Sequence, residues 1–118
     1  MTIQEIAARL RELCQQGKYE EAQNELFADN AVSIEPAHSP GLQSVEGLEA
    51  IKQKGHAFQS MVEAIHGGYV TEPAIAGNRF AVGAGLDLTM KGQGRVNMEE
   101  ICLYEVKDGK IVKEQFFY

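Results

Sequence analysis

Residues 79–118, RFAVGAGLDLTMKGQGRVNMEEICLYEVKDGKIVKEQFFY, decide the fold class. Apolar side chains fall on the even positions Phe80, Val82, Ala84, Leu86, Leu88 and Met90, and again on Met98, Cys102, Tyr104 and Val106. A period of two is the signature of a strand with one face buried. Lys91-Gly92-Gln93-Gly94 and Asp108-Gly109 interrupt the alternation, and Gly77-Asn78 precedes it. Asn and Gly accept positive φ, so each interruption is a hairpin turn. The spacing predicts strands over 69–76, 79–90, 95–107 and 111–118, joined as sequential antiparallel hairpins rather than by a parallel crossover. At about 3.3 Å per residue these strands are longer than average, so the sheet must bend, and Gly83 and Gly85 are where it can.

Upstream the period changes to that of a helix. Ile3, Ile6, Ala7, Leu10, Leu13 and Cys14 share a stripe, with Thr2 and Glu5 spaced as a capping box and Gly17 at the end. Tyr19, Ala22, Leu26 and Phe27 mark a second short helix, so residues 2–28 form a helical hairpin. Asp29-Asn30 turn the chain into a short strand, Ala31-Val32-Ser33-Ile34-Glu35, which Pro36 stops. A loop through Pro40, Gly41 and Ser44 leads to a third helix over about 46–62, carrying Leu48, Ile51, Phe58 and Val62 on one stripe, with Gly55 where that stripe would place a side chain. The even face of the meander should wrap around this helix. On the opposite face Ile101, Leu103 and Phe117 make a surface more apolar than a solvated sheet shows, which points to a homodimer through the sheet.

A chain of 118 residues is the length of one domain, and no repeat or linker divides it, so residues 1–118 are expected to form a single unit. Eleven Lys and Arg against 17 Asp and Glu give a net charge of −6, which disfavours nucleic acid and anionic membranes as partners. No apolar run is long enough to span a membrane and no basic-then-apolar leader opens the sequence, so a cytoplasmic location is expected. Cys14 and Cys102 are too few for a disulfide framework. His38, His56 and His66 have no partner at ligand spacing, so no metal is expected, and the isolated turn glycines Gly41, Gly92 and Gly94 form no phosphate cradle, so no cofactor is expected.

The strings LFADNAVSIEP (26–36), VEGLEAIKQK (45–54) and YEVKDGKIVKEQFFY (104–118), in this order and across this element sequence, resemble the SnoaL-like and ketosteroid-isomerase-like branch of the nuclear transport factor two-like superfamily. The resemblance implies an α+β fold: a cone-shaped, curved antiparallel sheet wrapped around an N-terminal helical hairpin and a third helix, ordered α-α-β-α-β-β-β-β. It also implies a homodimer, and a pocket for a small hydrophobic molecule between helices and sheet. The superfamily carries isomerases, dehydratases, polyketide cyclases, hydrolases and pure binding proteins on one scaffold, so function has to be argued from the pocket.

In the isomerase branch a carboxylate at the end of the first strand, followed by proline, removes a proton next to a carbonyl. Glu35-Pro36 is the matching pair. Burial in an apolar cone would suit such a carboxyl to acid–base work; the plainer reading has Glu35 end a strand facing solvent. The isomerases' oxyanion donors are not matched: their first-helix tyrosine falls near Leu10, their helical tyrosine near Gly55 and their aspartate near Cys102. Glu100 and Tyr104 flank Cys102 on its own face, and Glu114 lies on the last strand. A different polar set of Glu35, Glu100, Tyr104 and Glu114 is therefore expected inside, lined by Leu10, Phe58, Val82, Leu86, Met98 and Cys102. Two close carboxyls would keep one of the pair protonated, an acid and a base for enolisation, cyclisation or dehydration. His66 resembles the acid–base histidine of dehydratase-like members and competes with a structural role. Cys102, with no histidine or helix N-terminus beside it, reads as a core residue. Two functions follow, a cofactor-free acid–base enzyme acting on a small hydrophobic carbonyl or enol compound, or a non-catalytic ligand-binding or assembly module.

Overall fold

In the computed structural model, which describes residues 1–118, the chain runs α1 (Ile3–Gln15), α2 (Tyr19–Leu26), β1 (Phe27–Ile34), β2 (Val45–Glu46), α3 (Leu48–Ser60), β3 (Val62–Val70), β4 (Ala74–Ala76), β5 (Arg79–Met90), β6 (Gly94–Lys107) and β7 (Lys110–Phe117). Three helices pack against one seven-stranded sheet of order β2-β1-β7-β6-β5-β3, with β4 paired to β5. This is the expected α+β, cone-like architecture.

The local reasons are those of the sequence. Thr2 Oγ1 accepts from the Glu5 amide and Glu5 Oε1 from the Thr2 amide, closing the capping box of α1, an arrangement worth about 1 kcal/mol. At the other end Gly17 takes φ +74°, and Lys18 N–H donates to Leu13 O while Gly17 N–H donates to Cys14 O. That six-to-one and five-to-two pair is a Schellman stop. Asp108 and Gly109 both adopt positive φ in the β6–β7 hairpin.

Four expectations are corrected. Residues 27–30, expected as the end of the second helix and a turn, are the first half of β1, with Phe27 beside Ile111 of β7. The sheet is mixed rather than antiparallel, because β1 pairs β7 in parallel with Ser33 beside Glu114 and Ile34 beside Gln115. The meander's first strand begins at Val62, not near residue 69, and Thr71-Glu72-Pro73 splits it into β3 and β4, since proline offers no donor to a ladder. The third helix is correspondingly shorter, with Val45–Glu46 drawn off as β2 against β1.

The core lies between the helices and the inner sheet face. Ile6, Leu10 and Leu13 of α1, Ala22 and Leu26 of α2, and Ile51 of α3 close over Phe80, Val82, Cys102, Tyr104 and Ile111. Phe80 stacks on Tyr104 with centroids 4.9 Å apart, and Phe27 meets the same ring edge-on. Each large side chain fully buried here contributes roughly 1.5–3 kcal/mol. The helices do not cover the whole sheet. Residues 94–99 of β6 are mostly exposed, so Met98, expected to line the interior, is 37% exposed.

Candidate functional site

Alternation in β1 turns Ala31, Ser33 and then Glu35 toward the core, while Asp29 and Asn30 stay in solvent. The parallel register sets Ser33 beside Glu114 on β7, and the antiparallel register sets Glu114 beside Tyr104 on β6, itself beside Phe80 on β5. One row across the sheet thus carries Ser33, Glu114, Tyr104 and Phe80, all buried. Glu35, two residues beyond Ser33 along the chain, lies beside this row rather than in it, its side chain 4% exposed.

α3 brings the cation. Its buried stripe continues from Ile51 to position 54 one turn on, and that position is Lys54, with a side chain 12% exposed. Lys54 Nζ lies 2.7 Å from Glu35 Oε2, 2.6 Å from Ser33 Oγ and 5.4 Å from the centre of the Phe116 ring. Ser33 Oγ in turn donates to Glu114 Oε1 at 2.7 Å. On the outer side the Tyr118 hydroxyl donates to Glu35 Oε1 at 2.7 Å and sits 2.8 Å from Ser39 Oγ, with the His38 ring edge-on to Tyr118. The Glu35 backbone N–H donates to Ser44 Oγ, so the loop between β1 and β2 is tied down over the carboxylate.

Burial governs the ionisable groups. It pushes the Glu114 carboxyl up to about 7, against smaller lowering by the Ser33 hydrogen bond and by Lys54, while Glu35 and Glu100 add to the rise. Burial also raises Glu100, while the hydrogen bond from Cys102 Sγ at 3.4 Å works the other way. Tyr104 is pushed well above the ordinary phenol value and Cys102 far above the ordinary thiol value, again by burial. Both remain neutral near pH 7, and Cys102 is no nucleophile.

The structure therefore brings Glu35, Glu100 and Glu114 within electrostatic reach of one another, sets Tyr104 within reach of Glu100 and Glu114, and adds Ser33, Lys54 and Tyr118, which the sequence reading missed. A hint lay in the sequence. Lys54 stands between Ile51 and Phe58 at helical spacing, and Ser33 alternates with Ala31 and Glu35. His66 is not brought to this cluster. Because β3 starts early and is an edge strand, His66 is an exposed mid-strand residue bonded to Thr89 Oγ1 at 2.7 Å. Of the expected lining, Leu10, Val82 and Cys102 are core residues, Phe58 and Leu86 are half-buried and Met98 is exposed. Two surface depressions lie away from the cluster, one lined by Arg79, Leu103, Glu105, Lys113 and Gln115, the other by residues of α1 with Glu72 and Pro73. No three His, Cys, Asp or Glu side chains are grouped to hold a metal ion. No helix is long and apolar enough to cross a membrane.

Chemically the cluster offers a carboxylate paired with an ammonium, a carboxyl poised to exchange a proton near neutrality, and neutral phenol donors. Comparison with known proteins is consistent with that scaffold. The family model described as SnoaL-like domain matches residues 1–118. A solved structure from Mesorhizobium loti, whose name offers SnoaL-like polyketide cyclase and, in brackets, carbohydrate phosphatase as provisional activities, is 41% identical, with TM-score 0.92 and 100% of each chain covered. A Xanthomonas campestris protein of unknown function with a cystatin-like fold superposes with TM-score 0.82 at 14% identity, over 99% of this chain and 90% of that one. A Catenulispora acidiphila protein with a ketosteroid isomerase-like fold, solved with trimethylamine, gives TM-score 0.76 at 21% identity over 99% and 87%. No curated protein matches the chain.

Proposed function

This chain belongs to the SnoaL-like domain family, and from that premise we propose that it is an isomerase, cyclase or dehydratase that moves a proton on a small hydrophobic carbonyl or enol compound. The observation that carries the reading is the Glu35–Lys54 ion pair joined through Ser33 to the buried Glu114 carboxyl. In the proposed step Tyr118 moves off Glu35 Oε1, and that oxygen takes a proton from the carbon next to the substrate carbonyl. The C–H electron pair passes into the C–C bond as the carbonyl oxygen gains negative charge. A protonated Glu114 or Glu100, or the Tyr104 or Tyr118 phenol, supplies the hydrogen bond or proton to that oxygen. Such chemistry needs only the protein's own acid and base, so no cofactor is invoked. The polyketide cyclase name of the Mesorhizobium loti relative fits it. Its phosphatase label fits less well, since one lysine among three carboxyls would repel a phosphate. Glu35→Gln should lower turnover by roughly 10²–10⁴-fold with ligand affinity retained; undiminished turnover would remove Glu35 from the reaction.

A second reading is favoured by the completeness of the polar network. Every side-chain nitrogen and oxygen fully shut off from solvent already has a partner, as expected of a binding or assembly module with a structural ion pair. It predicts that a molecule retained from cell extract, identified by mass spectrometry, is released unchanged. Under either reading the outer sheet face is proposed as a homodimer contact.

A further inference from the structure

Among the side chains of the cluster Lys54 alone is a cation, and it is joined to two carboxyls by different routes. To Glu35 it donates directly at 2.7 Å, and Glu35 receives a second donor from Tyr118. To Glu114 it is joined only through Ser33, whose neutral hydroxyl donates to Oε1. A charge-assisted hydrogen bond is roughly twice as strong as a neutral one. Two carboxyls that share one cation so unequally must share a proton unequally as well.

We infer that Lys54 is a positioning residue: by donating directly to Glu35 and reaching Glu114 only through the Ser33 hydroxyl, it makes Glu35 the proton acceptor of the site and leaves buried Glu114 as its proton carrier, with the Ser33 bond moderating how tightly that proton is held. Ser33 occupies Glu114 Oε1, so the carried proton sits on Oε2. This inference rests on the proposed acid–base reading for the use made of the proton, but the division of labour belongs to the resting protein. The groups that act on Glu114 can be enumerated by element: Glu35 and Ser33 from the β1 side, Lys54 from α3, Glu100, Cys102 and Tyr104 from β6, and Cys14 from α1. Burial keeps Cys14, Cys102 and Tyr104 neutral at neutral pH, with the Cys14 thiol pushed up to about 12. Glu35, Glu100 and Lys54 are left as the charges able to move the Glu114 titration.

The test is a carbon-13 NMR titration of the glutamate side-chain carboxyls in the full chain and its variants. In the unsubstituted protein Glu114 should titrate at about 7. Ser33→Ala should move its midpoint up, by removing the donor to the anion. Glu35→Gln should move it down, by removing the competing negative charge. Lys54→Met should move the later of the two coupled steps up by about one unit or more, and Lys54→Arg should bring it back. Should Lys54→Met fail to fold, Lys54→Gln, which keeps a donor without the charge, reads the same coupling, and a Glu114 midpoint unmoved in a folded Lys54 variant also overturns the inference. A Glu114 midpoint unmoved by both Ser33→Ala and Glu35→Gln overturns the inference. The two failures are distinguishable: these shifts in a protein without turnover would sink the catalytic reading alone, and Glu35-dependent turnover with an independently titrating Glu114 would sink this one alone.

Discussion

The Ser33 hydroxyl donates to Glu114 Oε1 at 2.7 Å across the single parallel strand pair of the sheet, between residues 81 apart in sequence. Parallel pairing of β1 with β7 places these side chains side by side on the inner face and holds Glu35, two residues on, above them. A carboxyl would ordinarily protonate or pair with a cation when buried. Here one cation serves two carboxyls, and burial pushes Glu114 up to about 7, where it exchanges its proton near neutrality.

That proton makes stability depend on pH in an unusual direction for a carboxyl. Burial raises Glu114 from the ordinary 4.5 to about 7, and it raises Glu100 as well. Between those values the folded chain binds more protons than the unfolded one, so the stabilisation is complete below 4.5 and is lost as pH rises through 7. The loss from Glu114 is on the order of 3 kcal/mol. Thermal unfolding should therefore occur roughly 10 °C higher at pH 5 than at pH 8, and Glu114→Gln should flatten most of the difference. An equal or higher melting temperature at pH 8 would show that Glu114 is ionised throughout.

Packing at the β3–β5 contact makes a sharper demand. A Cβ on Gly68 would stand 2.7 Å from the Gly85 carbonyl oxygen and 3.1 Å from Leu86, whereas one on Gly67 meets nothing within 4 Å. Backbone cannot swing aside as a side chain can, so Gly68→Ala should cost about 1–3 kcal/mol in denaturant unfolding. Gly67→Ala should be close to neutral; equal effects at both sites would refute the close approach.

The proposed dimer has a defined patch. Ile101 and Phe117 are register partners on β6 and β7, exposed by 51% and 48%, and both lie on the face turned away from the helices. Sedimentation should find a dimer at micromolar concentration, and Ile101→Glu should convert it to a folded monomer. A monomeric parent chain would contradict the proposal.

Much of the frame was legible before the structure. The turns at Lys91-Gly92-Gln93-Gly94 and Asp108-Gly109 fix local hairpins, and period-two alternation places Glu100, Tyr104 and Glu114 on the apolar face because both signals are local. The parallel β1–β7 pairing was not legible. Its partners are distant in sequence and nothing in either strand announces the other. Lys54 was hidden for a different reason: helical periodicity is read from apolar residues, and a lysine within the stripe reads as solvent-facing until Glu35 and Ser33 are seen to receive it. The placement of His66 depended on where β3 begins, and a stretch of mixed character, VEAIHGGYV, gives no boundary.

The claim that Glu35 moves a proton on a carbonyl compound is tested most directly in deuterium oxide. Small hydrophobic ketones and 1,3-diketones, together with any carbonyl compound retained from cell extract, are incubated with the protein, and loss of the proton signal next to the carbonyl is followed by NMR. The account predicts exchange at least about a hundredfold faster with the unsubstituted protein than with Glu35→Gln, both variants remaining folded. Exchange no faster than with Glu35→Gln, in the presence of a compound shown to bind, would contradict it.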